Sequence, residues 1–271
     1  MEAPKYVNRG MGNPKLMSNV MARVRIAVPP IDVQREIIHI LDCFTLLTAE
    51  LTARQKQYEY YRDNLLFFNQ DICQMRLSEV CESIADGDHM PPPKTEAGIP
   101  FITISNITAN RQIDFAKTMF VSNDYYEKLD FKRKAQEEDI LYTVVGSFGT
   151  PVYVETDRKF VFQRHIAILR PDKSIIKPKY LYHAMQSTAF YKQANTMARG
   201  AAQRTISLSS LGQMSIFVPA LDVQGRIVKI LDNFDTICTD LNIGLPAEIE
   251  ARQKQYEYYR DKLLSFKELN E

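Results

Sequence analysis

Four histidines and four cysteines are the residues best suited to hold a metal, and their spacing does not favour one. His39, His89, His165 and His183 lack metal-ligand spacing, and Cys43, Cys73, Cys81 and Cys238 form no CxxC pair. The thiols read as free and reduced, as in a cytosolic protein. Asp157-Arg158-Lys159 has the Asp-x-Lys ending of many nucleases, but no paired acid precedes it in a suitable context. None of the Pro-Pro pairs follows Asn or Asp, as an amine methyltransferase loop requires. No GxGxxG turn or GxxxxGK[ST] loop is present to cradle a nucleotide. No Ser or Cys has a recognisable base partner. Binding and assembly are expected, without catalytic residues, metal or cofactor.

Charge gives the binding expectation its content. Within 271 residues the net charge is only +1. From Asp71 to Asp157, however, acids outnumber bases by seven. From Arg158 to Val218 there are ten Lys and Arg and a single acid, Asp172. The basic set is Arg158, Lys159, Arg164, Arg170, Lys173, Lys177, Lys179, Lys192, Arg199 and Arg204, interleaved with Phe160, Gln163, His165, Tyr180, Tyr182, Tyr191, Gln193, Asn195 and Gln203. Lys and Arg neutralise phosphates, while Arg, Gln and Asn reach base edges, so a face of this kind suits DNA. An ordinary solvated surface, with acids supplied from elsewhere in the fold, would read the same way. For a DNA face, Arg158, Lys159, Arg164, Arg199 and Arg204 are the candidate contacts, with Asn195 and Gln203 near base edges.

The elements that must position this face are announced by a repeat. Gln-Lys-Gln-Tyr-Glu-Tyr-Tyr-Arg-Asp occurs at Gln55–Asp63 and again at Gln253–Asp261. Ile31-Asp32-Val33-Gln34 is echoed by Leu221-Asp222-Val223-Gln224, and Ile40-Leu41-Asp42 by Ile230-Leu231-Asp232. A large module has been duplicated, and the start of the chain aligns with Lys192–Val218, the end of the segment that precedes the second copy; the resemblance described below implies that 1–29 is the tail of a truncated recognition domain. Apolar residues at helical spacing predict one helix over Asp32–Phe68, roughly 55 Å long, with Asp32 as N-cap. A second helical region spans Asp222 to about Leu269, broken near Gly244-Leu245-Pro246. Packing as an antiparallel coiled-coil pair would bury both apolar stripes; two separate core helices are the alternative. Between them, strands are expected at Pro100–Ile104, Asp139–Val145, Val152–Val154 and Phe160–Leu169, and a helix at Lys179–Lys192. The fold class is therefore α+β, with a mixed domain over 71–220 between helical regions 30–70 and 221–271. No apolar run reaches membrane-spanning length and no signal-peptide pattern opens the chain, which argues for a cytoplasmic protein.

These motifs resemble a known family. Thr48-Ala49-Glu50-Leu51 with Ala53–Tyr58 resembles the central conserved region of Type IC specificity subunits of restriction-modification enzymes, and Gly244–Tyr256 resembles their C-terminal conserved region. Gly98–Ile102, Gly146-Ser147-Phe148-Gly149 and Gln203–Ser207 look like marks of one target-recognition domain. The resemblance implies a non-catalytic subunit that reads half of a split site in double-stranded DNA and docks modification (methyltransferase) subunits, with restriction subunits joining indirectly. One recognition domain instead of two implies a half-subunit working as a homodimer. Three tyrosines within four helical positions exceed what one stripe can bury. Tyr58, Tyr60, Tyr61 and Arg62, with Tyr256, Tyr258, Tyr259 and Arg260, are thus expected to divide between helix packing and docking. The alternative is a truncated fragment or assembly protein that binds modification subunits without specifying a site.

Overall fold

The computed structural model describes residues 18–22, 28–68, 72–87, 92–108, 110–201, 203–239 and 245–265. After a short turn of helix, α1 (Ser18–Met21), comes α2 (Ile31–Leu66), the expected long helix. It starts one residue earlier than expected, so Asp32 is a first-turn acid paired with Arg35 and not the N-cap. Then follow β1 (Gln74–Arg76), α3 (Leu77–Val80), β2 (Cys81–Asp86), β3 (Ile99–Ile102), β4 (Met119–Val121) and α4 (Asn123–Lys128). The second half of the domain holds β5 (Ile140–Thr143), β6 (Pro151–Tyr153), β7 (Val161–Phe162), β8 (Ile166–Pro171), α5 (Pro178–Met185), α6 (Thr188–Met197), α7 (Leu208–Gln213) and β9 (Ser215–Phe217). The chain closes with α8 (Leu221–Thr239) and α9 (Leu245–Leu264). Most of the tail segment 1–29, His89 and the residues 240–244 beside the expected break lie outside the described residues.

The chain divides into two units, Ala53–Pro246 and Met1–Thr52 with Ala247–Glu271. The first is α+β. Its central sheet has the order β2-β8-β5-β6, antiparallel throughout. A smaller sheet, β4-β3-β7, pairs β3 antiparallel with β4 and parallel with β7, and β1 pairs with β9. Strands β5 and β8 are buried on both faces, which explains why they read as unbroken apolar runs. Side chains alternate across the sheet. Ile140, Tyr142, Ala167 and Leu169 pack with α5, α6 and α7, while Leu141, Ile166 and Ile168 pack with Phe160, Phe162 and Ile102.

Two expected elements divide. Phe160–Leu169 splits at a turn spanning Gln163–His165 into β7 and β8, which belong to different sheets. Lys179–Lys192 becomes α5 and α6, because Ser187 turns to an extended backbone (φ −64°, ψ 150°) and its hydroxyl accepts from Phe190 N–H as the N-cap of α6.

Burial also explains part of the basic run. Arg170 lies inside the domain, donating Nε to Asp139 Oδ1 (3.1 Å) and Nη2 to Asp139 Oδ2 (2.9 Å) and to Lys134 O (2.9 Å). Lys173 pairs with Glu138 and Lys179 with Asp232. For these three the acids do come from elsewhere in the fold, and Arg170 in particular is no part of an outer basic face.

The repeat is visible as repeated geometry. Gln34 Nε2 donates to Pro29 O and Gln224 Nε2 to Pro219 O, both at 2.7 Å, capping the starts of α2 and α8 alike. Gln224 is fully buried and also takes the Lys177 N–H (2.8 Å) and donates to Ile175 O (3.1 Å), fastening α8 to the approach of α5. Further along α8, Asp232 receives His183 Nε2 (2.8 Å) and Lys179 Nζ (3.2 Å) from α5. Burial alone would raise the Asp232 carboxyl, yet the bonds to His183 and Lys179 together hold it below the ordinary value of 3.8. A depressed carboxylate stabilises the folded state above its unfolded pKa, and that contribution is lost as pH falls through the folded one. Asp232→Asn should therefore lower the melting temperature at pH 6–7, and the gap to the parent should close below about pH 4. Melts taken across that range check this; a gap independent of pH would contradict it.

In the other unit, Phe44 of α2 stacks on Tyr259 of α9 (centroids 5.8 Å, 22°) and meets Tyr256 edge-on at 6.4 Å. Among the described residues no helix is long and apolar enough to cross a membrane.

Candidate nucleic-acid interface

Four of the DNA-facing candidates are brought together by the fold. They gather around the connection from β5 to β6. Thr143 closes this connection twice, its hydroxyl donating to Ser147 O (3.0 Å) and accepting Thr150 N–H (2.9 Å). Gly146 and Gly149 turn it through positive φ, 70° and 98°. At Gly149 a side chain would also strike the Tyr191 ring, with a Cβ only 2.8 Å from it. The loop after α6 folds against this connection. Arg199 and Thr205 exchange both backbone hydrogen bonds, and Gly146 N–H reaches Arg204 O at 3.0 Å.

Side chains then stack in order. Tyr191 lies parallel to Phe148 (6.3 Å, 17°), and the Arg204 guanidinium sits 5.2 Å from the Phe148 centroid. Arg204 also donates Nη1 to Asn195 Oδ1 at 2.5 Å and Nη2 to the Asn195 carbonyl. Arg199 and Gln203 project into solvent from the same loop, and Tyr191 is half exposed. Four expected residues, Asn195, Arg199, Gln203 and Arg204, thus come together. Arg204 braces the loop, while Arg199 and Gln203 are the outward groups. Phe148 and Tyr191 complete the cluster. The Gly-Ser-Phe-Gly string and the interleaved aromatics were the available signals, although nothing in the sequence singled out Tyr191 or gave a reason to join it to Phe148.

Arg158 and Lys159 have different neighbours. The Arg158 guanidinium lies 4.4 Å from the Phe115 centroid. Lys159 pairs with Glu127 Oε1 at 3.0 Å and lies 5.1 Å from the Tyr126 ring centre. The hydrogen bond from Lys159, followed by its charge, holds the Glu127 carboxyl below its ordinary range. Arg164 stands exposed on the β7–β8 turn, where its backbone crowds Gly87. Of these three, Lys159 is partly neutralised by Glu127, while Arg158 and Arg164 are exposed. Among the described residues no cluster of three or more His, Cys, Asp or Glu could hold a metal ion.

The two copies of the tyrosine motif share local geometry and differ in burial. Tyr60 and Tyr61 meet edge-on, as do Tyr258 and Tyr259. Arg62 lies over Tyr58 and bonds Asp63; Arg260 lies over Tyr256 and bonds Asp261. Yet Tyr58 and Arg62 are buried. The Tyr58 hydroxyl donates to Asp235 at 2.7 Å, and burial, reinforced by Asp235, raises its pKa well above the ordinary value. Tyr60 and Tyr258 are 65% and 60% exposed, and Tyr61 and Tyr259 are also at the surface. In each copy one tyrosine stands outward, Tyr60 or Tyr258, while the next packs on a neighbouring helix, Tyr61 on Phe234 (6.5 Å, 10°) and Tyr259 on Phe44; Tyr58 and Arg62 are buried, whereas Tyr256 and Arg260 are only partly covered.

Comparison with known proteins completes the picture. Residues 61–251 match the family model for the Type I restriction modification DNA specificity domain. A Haemophilus influenzae protein described as a type I restriction enzyme specificity subunit is 32% identical over 95% of this chain and 68% of its own length. The Escherichia coli EcoR124I/EcoR124II specificity subunit is 34% identical over 86% of this chain, which spans 59% of that protein. Among solved structures, one from work on complex assembly and conformational transition of the type I R-M system shares the fold. It has TM-score 0.59 and 20% identity over 94% of this chain and 65% of that one. The chain belongs to the Type I restriction-modification DNA specificity family, whose task is DNA recognition and not catalysis.

Proposed function

We propose that this chain reads one half of a split double-stranded DNA site and docks modification subunits as part of a type I restriction-modification complex. The observation that carries the reading is the assembled cluster of Phe148, Tyr191, Asn195, Arg199, Gln203 and Arg204. It combines outward Arg and Gln groups with a rigid aromatic base. Arg199, Arg158 and Arg164 supply phosphate contacts that set position; Gln203 and Asn195 reach base edges. The test is selection of bound duplexes from a random pool by the chain with a Type IC modification subunit. An enriched half-site supports the reading, and an unenriched bound pool contradicts it.

The helical regions 30–70 and 221–271 form the spacer of this assembly, packed as an antiparallel coiled-coil pair. Support comes from the repeated helix starts at Gln34 and Gln224 and from the Phe44–Tyr259 stack. Two copies associate through these helices, so that a two-fold pair of recognition domains reads a split palindrome. The complex works in the cytoplasm.

Docking is assigned to the outward tyrosines, since exposed aromatics beside Arg are typical interface anchors. Tyr60→Ala combined with Tyr258→Ala should abolish methylation by the complex and leave the melting temperature within a few degrees of the parent, because neither ring is buried. Methylation at parental rates in that double variant would rule the assignment out.

A further inference from the structure

The acidic half of the domain holds an arginine, Arg111, that charge counting passed over. It lies in the connection from β3 to β4, which Asn106 fixes at its base. The buried Asn106 amide accepts the Thr103 N–H (3.0 Å) and donates to Asp114 O (3.3 Å) and Lys117 O (3.1 Å). The tip is a turn closed from both sides. Thr108 N–H donates to Gln112 O (2.9 Å), and Gln112 N–H returns to the Thr108 hydroxyl (3.1 Å). Arg111 N–H donates to Thr108 O (3.0 Å) with φ at +59°, a conformation uncommon for a side-chain-bearing residue and often retained at functional sites. The Arg111 side chain is half-buried, yet among the described residues its guanidinium has no hydrogen-bond or ion-pair partner.

Arg111 lines a cavity of about 290 Å³ between this turn and the β5–β6 connection, with Ile104, Thr108, Thr143, Ser147 and Thr150. Among the described residues no Asp or Glu lines it. The Thr143 hydroxyl is engaged within its own connection, whereas those of Thr108, Ser147 and Thr150 each retain a hydrogen to donate. A second cavity, of about 310 Å³, shares Arg111 and Thr150 but is bordered by Glu59. Arg111 thus stands on a common wall, and its charge also opposes the rise that burial gives the Tyr58 and Tyr182 hydroxyls. An anion in the second cavity would meet the Glu59 carboxylate, and a cation in the first would find no carboxylate at all. The acid-free side, with a guanidinium and three hydroxyl donors, suits an anion, and phosphate is one that Arg holds through paired N–H donors. The β5–β6 connection also carries Phe148, and its Gly146 N–H binds Arg204 O, so the cavity and the proposed reading loop share one support.

We propose that this cavity seats a phosphate group, held by the Arg111 guanidinium and the hydroxyls of Ser147 and Thr150, and that the phosphate belongs to the DNA backbone. Seated there, it sets the position of the strand against the loop bearing Arg199 and Gln203 and carries no base preference of its own. The DNA source rests on the reading function proposed above, whereas phosphate binding by the cavity does not, so failure of one is distinguishable from failure of the other.

The test uses Arg111→Asn, which removes the charge in a residue type that tolerates positive φ, and Arg111→Lys, which keeps the charge; melting verifies that both fold. Parent and variants, each with a Type IC modification subunit, are titrated onto the selected duplex across a range of salt. A slope of log affinity against log salt that is shallower by about 0.9 in Arg111→Asn and near parental in Arg111→Lys supports the site. Duplexes with a single uncharged methylphosphonate linkage then locate the phosphate: one linkage should weaken the parent and leave Arg111→Asn unaffected. A parental slope in Arg111→Asn, or methylphosphonate losses equal in parent and variant at every linkage, overturns the DNA source. Separately, the full chain is titrated with inorganic phosphate while the Ser147 and Thr150 amides are followed by NMR. Saturable shifts lost in Arg111→Asn support a phosphate site in the cavity even where no duplex binds. Absence of both the duplex effects and the shifts, with phosphate carried to millimolar concentration, overturns the proposal and leaves Arg111 as a structural part of its turn.

Discussion

Changing Arg158, Arg164, Arg199 and Arg204 together to Ala is expected to remove DNA binding at physiological salt while the domain stays folded. Three of these side chains are exposed and none is part of the core. Each phosphate neutralised by one of them contributes about 0.9 to the slope of log affinity against log salt, so the fourfold change should flatten that slope by roughly 2 to 4. The single changes should differ in kind. Arg199→Ala should weaken binding to all sequences alike. Arg204→Ala should also relax the half-site, because Arg204 ties Asn195 to the Phe148 ring and thereby orders the loop bearing Gln203. Gln203→Ala should relax one position by about 1–3 kcal/mol. Fluorescence anisotropy across a range of salt concentrations measures all of these. Parental affinity and slope in the fourfold variant would remove these four arginines from the interface.

The largest effect on stability is expected at Arg170. Its guanidinium makes two hydrogen bonds to the Asp139 carboxylate and one to Lys134 O, and the two side chains retain only 10% and 3% of their exposure. Removing one partner of such a pair leaves the other buried and uncompensated, at a cost of about 3–5 kcal/mol. For a domain of this size each kcal/mol moves the melting temperature by about 2–4 °C, so Arg170→Ala should lower it by roughly 6–20 °C. Asp139→Ala should behave similarly, while joint replacement by apolar residues of matching volume should recover much of the loss. A single variant melting within about 2 °C of the parent would show that the pair contributes little.

These expectations also mark what the sequence disclosed. Period and repeat located α2 to within two residues at each end, because no Gly or Pro competes with the apolar stripe. The split of one expected helix into α5 and α6 was hidden, since Ser187 looks like an interior residue until its hydroxyl is seen capping α6. The strand break at Gln163–His165 carries no Gly or Pro to announce it. Charge counting located the basic stretch but could not sort it. Arg170 meets Asp139 across 31 residues of chain and Lys179 meets Asp232 across 53, pairings set by sheet order and helix packing. The same reasoning found Asn195, Arg199, Gln203 and Arg204 as separate residues. Only the return of the 198–206 loop to Gly146, a long-range backbone contact, makes them one surface.

The central claim is that this chain gives a type I complex its DNA site, and that two copies do so together. Co-expression with a Type IC modification subunit, followed by methylation mapping across the host genome, tests it most directly. The account predicts adenine methylation confined to one split palindrome, with both half-sites altered in the same way by Gln203→Ala. Methylation unrestricted by sequence, none at all from a folded complex, or a split site with two unrelated halves would contradict it.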